Sequence, residues 1–274
     1  MIHMGWRAVL LLMLASRLTA IGHAQSFEVA SVKRHLSGDE ARVRFEMPRG
    51  RLVVVNAPLR FVIRQAYRVP EARIIGGPAW IDDERFDIQA AAADANADTI
   101  RLMLRTLLKD RFGLAMRAES REMPVYVLTP ARTDGTLGPH LRRSTTDCTG
   151  RGSLVVAGRV QCGILVSQDK GSGSLRGGGA TIDNFVRLLG DFLDRPLNDS
   201  TGLTGAFDLE LQFSGERSSA PGAPVPGGLP AASAPDDVPS VFTAIREQMG
   251  LKLDAQRGRA DVWAIDAVAH PTLD

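Results

Sequence analysis

Few residues in this chain have types and spacings that could do chemistry, and carboxylates lead them. Asp82-Asp83-Glu84 with Asp87 gathers acidic side chains into one short stretch. Paired carboxylates can act as general acid and base or hold a hard cation, which makes Asp83 and Asp87 the candidate catalytic residues. The other reading is a turn, since Asp bonds nearby backbone where a strand begins. Nucleophilic catalysis asks for a base beside the nucleophile. After the first 24 residues the histidines are His35, His140 and His270, each read as a solvated loop residue, and no His-Glu-x-x-His or Gly-x-Ser-x-Gly motif accompanies them. The runs Gly171-Ser172-Gly173 and Gly177-Gly178-Gly179 stand before a helix pattern as a phosphate cradle would. They lack both the Gly-Lys-Ser/Thr ending and the G-x-G-x-x-G spacing, and read instead as loop and poor strand. Trp80, after Gly76-Gly77-Pro78, is the candidate binding residue as an exposed contact; Trp80 and Trp263 otherwise read as core or edge aromatics. No cofactor is expected.

Cys148 and Cys162 are the only cysteines, with thirteen residues between them. In an exported chain such a pair reads as a disulfide. A metal site would need more ligands, and His140 is the nearest imidazole, so no metal is expected. Export is read from the opening residues. Arg7 gives a positive start, Ala8 to Ala15 an apolar core, and Gly22-His23-Ala24 a small-residue cleavage site before Gln25. The alternative is a retained anchor, although the apolar run falls short of the about 20 residues that span a bilayer. Removing residues 1–24 takes away Arg7 and Arg17 and no acid, which leaves 31 basic residues facing 31 acidic ones. A neutral chain with 5% aromatic residues lacks the electrostatic footprint of a nucleic-acid binder. A periplasmic or secreted location with no membrane span after the leader is therefore expected.

The elements that must position these residues repeat. At an offset of 123, Gly50-Arg51-Leu52 falls on Gly173-Ser174-Leu175, Ala57 on Ala180, Leu59 on Ile182, Ile63 on Val186 and Arg64 on Arg187. At 121, Arg85-Phe86-Asp87-Ile88 falls on Ala206-Phe207-Asp208-Leu209. At 137, Gly113-Leu114 falls on Gly250-Leu251 and Val125-Tyr126-Val127-Leu128 on Val262-Trp263-Ala264-Ile265. Within each copy, Leu59, Val62, Ile63, Ala66 and Tyr67, or Ile182, Phe185, Val186 and Leu189, keep a helical period. Ile100, Met103, Leu104, Leu107 and Leu108, or Val241, Ala244, Ile245 and Met249, give a second helix stopped by Gly113 or Gly250. Alternating Leu114-Met116-Ala118 and Leu251-Leu253-Ala255 precede the Val125 and Val262 runs, which suggests two closing strands. The expected fold is α+β, two tandem pseudo-symmetric β-α-β-α-β-β units over 25–135 and 166–274, preceded by a strand from Phe27 to Lys33. A Gly/Arg-rich connector at 136–165 carries the cysteines, and a Pro/Ala/Gly-rich disordered insertion at 214–239 interrupts the second unit.

The same stretches carry a family resemblance. FEVASVK, RLVVVNAPLRFVIRQAY, GGPAWIDDERFDIQA, LLKDRFGLAMRAESREMPVYVL, DSTGLTGAFDLEL and SVFTAIREQMGLKLD cover most of the chain after residue 24. Together they resemble the soil-associated secreted family of unknown function that is expanded in Acidobacteria such as Solibacter. The resemblance implies export, paralogous copies and, in some members, fusion to a penicillin-sensor-type membrane metallopeptidase; it implies no reaction and no catalytic residue. Each half is also similar to the short N-terminal domain of secretins and TonB-dependent receptors, which binds partner proteins. The expected function is a non-catalytic extracytoplasmic binding or sensing module for an unknown protein or small ligand of the cell envelope. The rivals are an exported hydrolase of extracellular or cell-wall polymers, using the Asp82–Asp87 cluster, and a structural envelope protein.

Overall fold

The structure, a computed structural model, describes residues 26–36, 43–148, 154–156, 159–169, 172–214, 238–272 and 274. The expected leader at 1–24, and the expected insertion at 214–239 apart from its ends, lie outside them. The described chain is mixed α and β, mostly β, with three sheets. Its elements run β1 (Val29–Arg34), β2 (Arg44–Glu46), β3 (Arg51–Pro58), α1 (Leu59–Tyr67), β4 (Ile74–Gly76), α2 (Trp80–Asp83), β5 (Arg85–Ala91), α3 (Ala97–Phe112) and β6 (Ala115–Pro130). After these come β7 (Leu141–Arg143), β8 (Leu154–Val156), β9 (Arg159–Asp169), β10 (Ser172–Ala180), α4 (Ile182–Leu189), β11 (Leu197–Asp199), β12 (Phe207–Ser214), α5 (Val241–Ala244) and β13 (Leu251–Ala267).

The first sheet is antiparallel in the order β1-β5-β3-β2, and α1 and α3 cover it. Leu52 and Val54 of β3 alternate inward toward Leu59, Val62, Ile63 and Ala66 of α1, and all six are fully buried. Each of the Leu, Val and Ile side chains contributes about 1.5–3 kcal/mol by leaving water. Asn96 caps α3 by accepting from the Asp98 and Thr99 N–H groups, and Gly113 ends it in the left-handed region at φ 58°. The second sheet runs β7-β12-β10-β9-β8, under α4 and α5. Its helix after Ser240 departs from the expected regular one, because after Ala244 the turn widens into a π-helix over Ile245–Met249. This keeps Val241, Ala244, Ile245 and Met249 all buried. The Gln248 side-chain amide then accepts from the Gln212 N–H at 2.9 Å and donates to its carbonyl at 2.8 Å. It thereby satisfies backbone of β12 beyond the end of the β7 pairing.

Of the expected loop and poor strand, the described glycines are strand. Gly173, Gly177, Gly178 and Gly179 lie within β10, which is paired on both sides. Close approach explains the residue type. A methyl on Gly178 would strike the carbonyl oxygens of Val160 and Gln161, and one on Gly177 would meet Leu209 Cγ at 3.0 Å. The stretch expected as a connector supplies β7, β8 and β9 to this sheet. Cys148 and Cys162 form a disulfide, Cα–Cα 5.6 Å, that ties the chain after β7 to β9.

The third sheet runs β11-β6-β13-β4. Its centre is a long antiparallel pair, from Leu251 opposite Pro130 to Ala267 opposite Ala115. The two closing strands expected in each half are thus one continuous strand. The intervening segments hold charge instead of turn residues, and Arg117 with Glu119 and Asp266, Arg121 with Glu119, and Arg257 with Glu122 pair along the ribbon. β4 pairs parallel with β13, and β11 parallel with β6, so each long strand is flanked by a short strand from the other part of the chain. Alternation splits the Val125 run between two cores. Tyr126 and Leu128 pack with α4 and α5, while Val125 and Val127 meet Ala260 and Val262 on the opposite face.

Two measurements follow from this packing. Gly178→Ala should lose at least about 2 kcal/mol in urea unfolding, as overpacking against rigid backbone does. Cys148→Ser with Cys162→Ser should lose about 3 kcal/mol by the loop-entropy estimate, measured the same way.

Candidate functional site

The acidic cluster does not assemble into one site. Asp82, in the single turn of α2, is bound by Arg60 Nε at 2.5 Å and Nη2 at 3.1 Å, and Arg60 also donates to the Ile74 and Gly76 carbonyls. Asp83 is exposed. Glu84 pairs with Arg34 at 2.6 Å and with His270 Nε2 at 3.1 Å. Asp87 accepts from the Asn56 N–H at 2.9 Å and contacts His35 Nδ1 at 3.0 Å. Asn56 sits in a β-bulge of β3 at φ 54°, where an extra residue breaks the ladder to β5. The Asp87 carboxylate satisfies the N–H that the bulge displaces. Asp208 does the same for Gly179, at 3.0 Å, in the bulge of β10.

His35 departs from the solvated-loop expectation, and His270 stays exposed outside any helix or strand but is engaged. His35 is 15% exposed, held by Asp87, and its Nε2 is buried without a hydrogen-bond partner. A Ser–His–Asp arrangement would place a nucleophile on that nitrogen, and none is hydrogen-bonded there among the described residues. His270 stacks on Trp80 with ring centroids 4.2 Å apart, and Trp80 in turn meets the edge of Phe86 at 6.3 Å. Trp80 is therefore half-buried under His270. The His35–Asp87 and His270–Glu84 contacts span 52 and 186 residues of sequence, which is why local reading misses them. His140 is exposed as expected. Among the described residues no group of three or more His, Cys, Asp or Glu is placed to hold a metal ion.

Asp82 and Arg60 line a cleft of about 470 Å³ together with Leu193 and Asp194, and a larger one lies between the two helical layers. A cleft of about 590 Å³ is bounded by the end of α1, the turn before β4, α4, β11 and β13. Its walls mix Arg68, Arg73, Arg187 and Arg259 with Asp183, Asp199 and Asp261, and Val69, Pro70, Val186 and Leu197 add apolar surface. Arg73 fixes its geometry. It donates to the Asp261 carbonyl at 2.8 Å, the Leu197 carbonyl at 2.5 Å and Asn198 Oδ1 at 3.0 Å, while Asn198 Nδ2 donates to the Arg259 carbonyl at 2.9 Å. Burial pulls the Arg73 guanidinium below its ordinary value, partly opposed by the Asp261 carboxylate. Beside this cleft a smaller cavity of about 200 Å³ is lined by Arg64, Arg68, Arg101, Arg187 and Asp191.

None of these arginines stood out in the sequence as chemistry. One signal was present: the repeat aligns Arg64 with Arg187, a charge kept on otherwise apolar helix patterns. The rest depends on α1, α3 and α4 converging.

Glu84 supports a pH prediction. The Arg34 hydrogen bond, against opposing desolvation and aided by His270, holds its carboxyl below the usual range. A carboxyl depressed by folding adds stability that is complete above its unfolded value and is lost as pH falls through its folded one. Glu84→Gln should therefore lower the thermal midpoint at pH 7, and the gap to the parent should close as pH is taken to 3.

No curated protein and no solved structure matches this chain. Among the described residues no helix is long and apolar enough to cross a membrane. The family model described as a protein of unknown function, DUF3738, matches residues 60–268, a span that takes in α3, α4, all of α1 but Leu59, and every residue lining both of these cavities. The chain belongs to that family.

Proposed function

We propose that this protein is an exported, non-catalytic binding module made of two related halves, and that the cleft between them takes a small polar ligand. The 590 Å³ cleft carries the reading, because both halves line it and basic, acidic and apolar surfaces meet there. Sites of this size, with a few fixed polar groups over apolar walls, are typical of small-molecule binding.

The relation between the halves is supported by register as well as by sequence. The bulge between Val54 and Ala57 in β3 and that between Gly177 and Ala180 in β10 differ by the offset of 123 found in the sequence. Each is closed by an Asp from the partner strand, Asp87 or Asp208. Both outer sheets place a later strand between the bulged strand and an earlier one, in the orders β1-β5-β3-β2 and β7-β12-β10-β9. Exchange of β4 and β11 across the central ribbon gives the duplication a consequence, since neither half completes the third sheet alone. The leader pattern at residues 1–24 and the Cys148–Cys162 disulfide support an oxidising, extracytoplasmic location. The carboxylates add no observation in favour of hydrolysis: Asp82, Glu84 and Asp87 are each engaged by basic or backbone groups, and Asp83 faces solvent.

Thermal unfolding tests the cleft with glucose, cellobiose, N-acetylglucosamine, glutamate, lysine and citrate as probes. A bound probe raises the midpoint with its concentration, and Asp183→Asn with Arg259→Met should abolish the rise. No rise with any of the six, or a rise that survives both substitutions, would overturn the reading. Export is tested separately by sequencing the N-terminus of protein recovered from the extracytoplasmic fraction, which should begin at Gln25.

A further inference from the structure

The smaller cavity is electrostatically lopsided. Arg64 and Arg68 reach it from α1 and its C-terminal end, Arg101 from α3 and Arg187 from α4. Two carboxylates answer these four guanidiniums. Asp98 accepts from Arg68 at 3.2 Å and Arg101 at 3.1 Å, but its side chain is 77% exposed, and Asp191 stands 3.8 Å from Arg64. Arg187 donates to the neutral Asn184 Oδ1 at 2.7 Å, and the Asp191 carboxylate that faces Arg64 also acts on it. Nε of Arg64 and Nε of Arg101 are buried with no partner. Burial pulls Arg101 and Arg187 below their ordinary values, and in both the neighbouring Arg68 charge pulls further in the same direction, against the opposing pull of Asp98 on Arg101 and of Asp191 on Arg187. Like charges gathered in a partly desolvated pocket destabilise the fold unless an anion joins them.

Arg68 adds an independent observation. It ends α1 in the left-handed region, at φ 55° and ψ 42°. A non-glycine side chain there is strained, and glycine is the ordinary residue at such a helix end. The local backbone gains nothing from an arginine, whereas the cavity gains a guanidinium. Backbone strain of this kind collects at ligand clamps.

We infer that the cavity enclosed by Arg64, Arg68, Arg101 and Arg187 binds a tetrahedral oxyanion, a phosphate or sulfate group. This rests on the reading of the adjoining cleft as a ligand site, with which the cavity shares Arg68, Val69 and Arg187. Four guanidiniums against two carboxylates leave a surplus of two positive charges, matched by a dianion. Their approach from three helices suits a tetrahedral acceptor with oxygens in several directions better than a planar carboxylate, which offers two. The anion arrives free in solution or as the charged end of a larger ligand whose remainder lies in the cleft.

Calorimetric titration and thermal unfolding of the disulfide-bonded chain, at constant ionic strength set with sodium chloride, separate these cases. The probes are inorganic phosphate, inorganic sulfate, glucose 6-phosphate and glucose. Phosphate or sulfate should raise the midpoint, and Arg187→Met should weaken the binding on the order of tenfold, the loss of one charge-assisted contact. Arg68→Gly should lose the response as well, while its midpoint without ligand is no lower than the parent's, because strain is relieved. A response to glucose 6-phosphate alone assigns the anion to a phosphorylated ligand; a response to the inorganic ions assigns it to free anion. Equal responses in the parent and both variants, or responses that sodium chloride reproduces, would overturn the site. If no anion binds while a neutral probe still does, the oxyanion site falls and the cleft stands. If neither binds, both fall.

Discussion

The antiparallel pairing of β6 with β13 is the constraint on which the rest of the structure depends. It joins residues 115–130 to residues 251–267, so the centre of the third sheet cannot form until the chain is nearly complete. Each long strand also needs a short parallel neighbour from the other half, β11 beside β6 and β4 beside β13. The register that aligns Tyr126 with Leu197 and Trp263 with Ile74 brings the turn before β4 and the turn after α4 against one another. Contact order is high as a result, and slow, cooperative assembly is the physical consequence.

The cleft follows from that exchange. Because β4 and β11 cross to opposite long strands, the helix ends that precede them are carried to the seam, and polar groups are buried there with them. Arg73 spends its donors on three acceptors across the seam, which makes it a clamp. Aromatic packing reinforces it, with Tyr67 against Trp263 at 5.0 Å and the Arg105 guanidinium over the Tyr67 ring at 4.6 Å. The four arginines of the smaller cavity differ in kind. Their charges exceed the carboxylates that face them, so they raise the energy of the empty fold and define an electrostatic demand that structure alone does not meet.

Much of the scaffold was legible in the sequence because short-range signals set it. The helical period of Leu59 to Tyr67 and the Gly113 stop appear where expected. The Asp87 and Asp208 match appears as two bulges closed in the same way. The long ribbon was not legible, since the charged stretch from Glu119 to Glu122 reads as a break between strands until a cross-strand partner is known. The glycine run of β10 was legible only as loop and poor strand, for the same reason. Low strand propensity marks a loop locally, but here it marks backbone approaching backbone, as at Gly178 with Val160. The arginine cavity was the least legible, because it is made by three helices far apart in sequence and no motif spans them.

The central claim is that the seam between the halves is a ligand site whose charged end is the Arg64–Arg68–Arg101–Arg187 cavity. The most direct test is nitrogen-15 NMR of the arginine side chains during titration with inorganic phosphate. The Nε–Hε resonances of these four arginines should move together along one saturable curve while those of Arg117 and Arg257, on the exposed ribbon, stay in place. Shifts that spread evenly over all arginines and never saturate would contradict it.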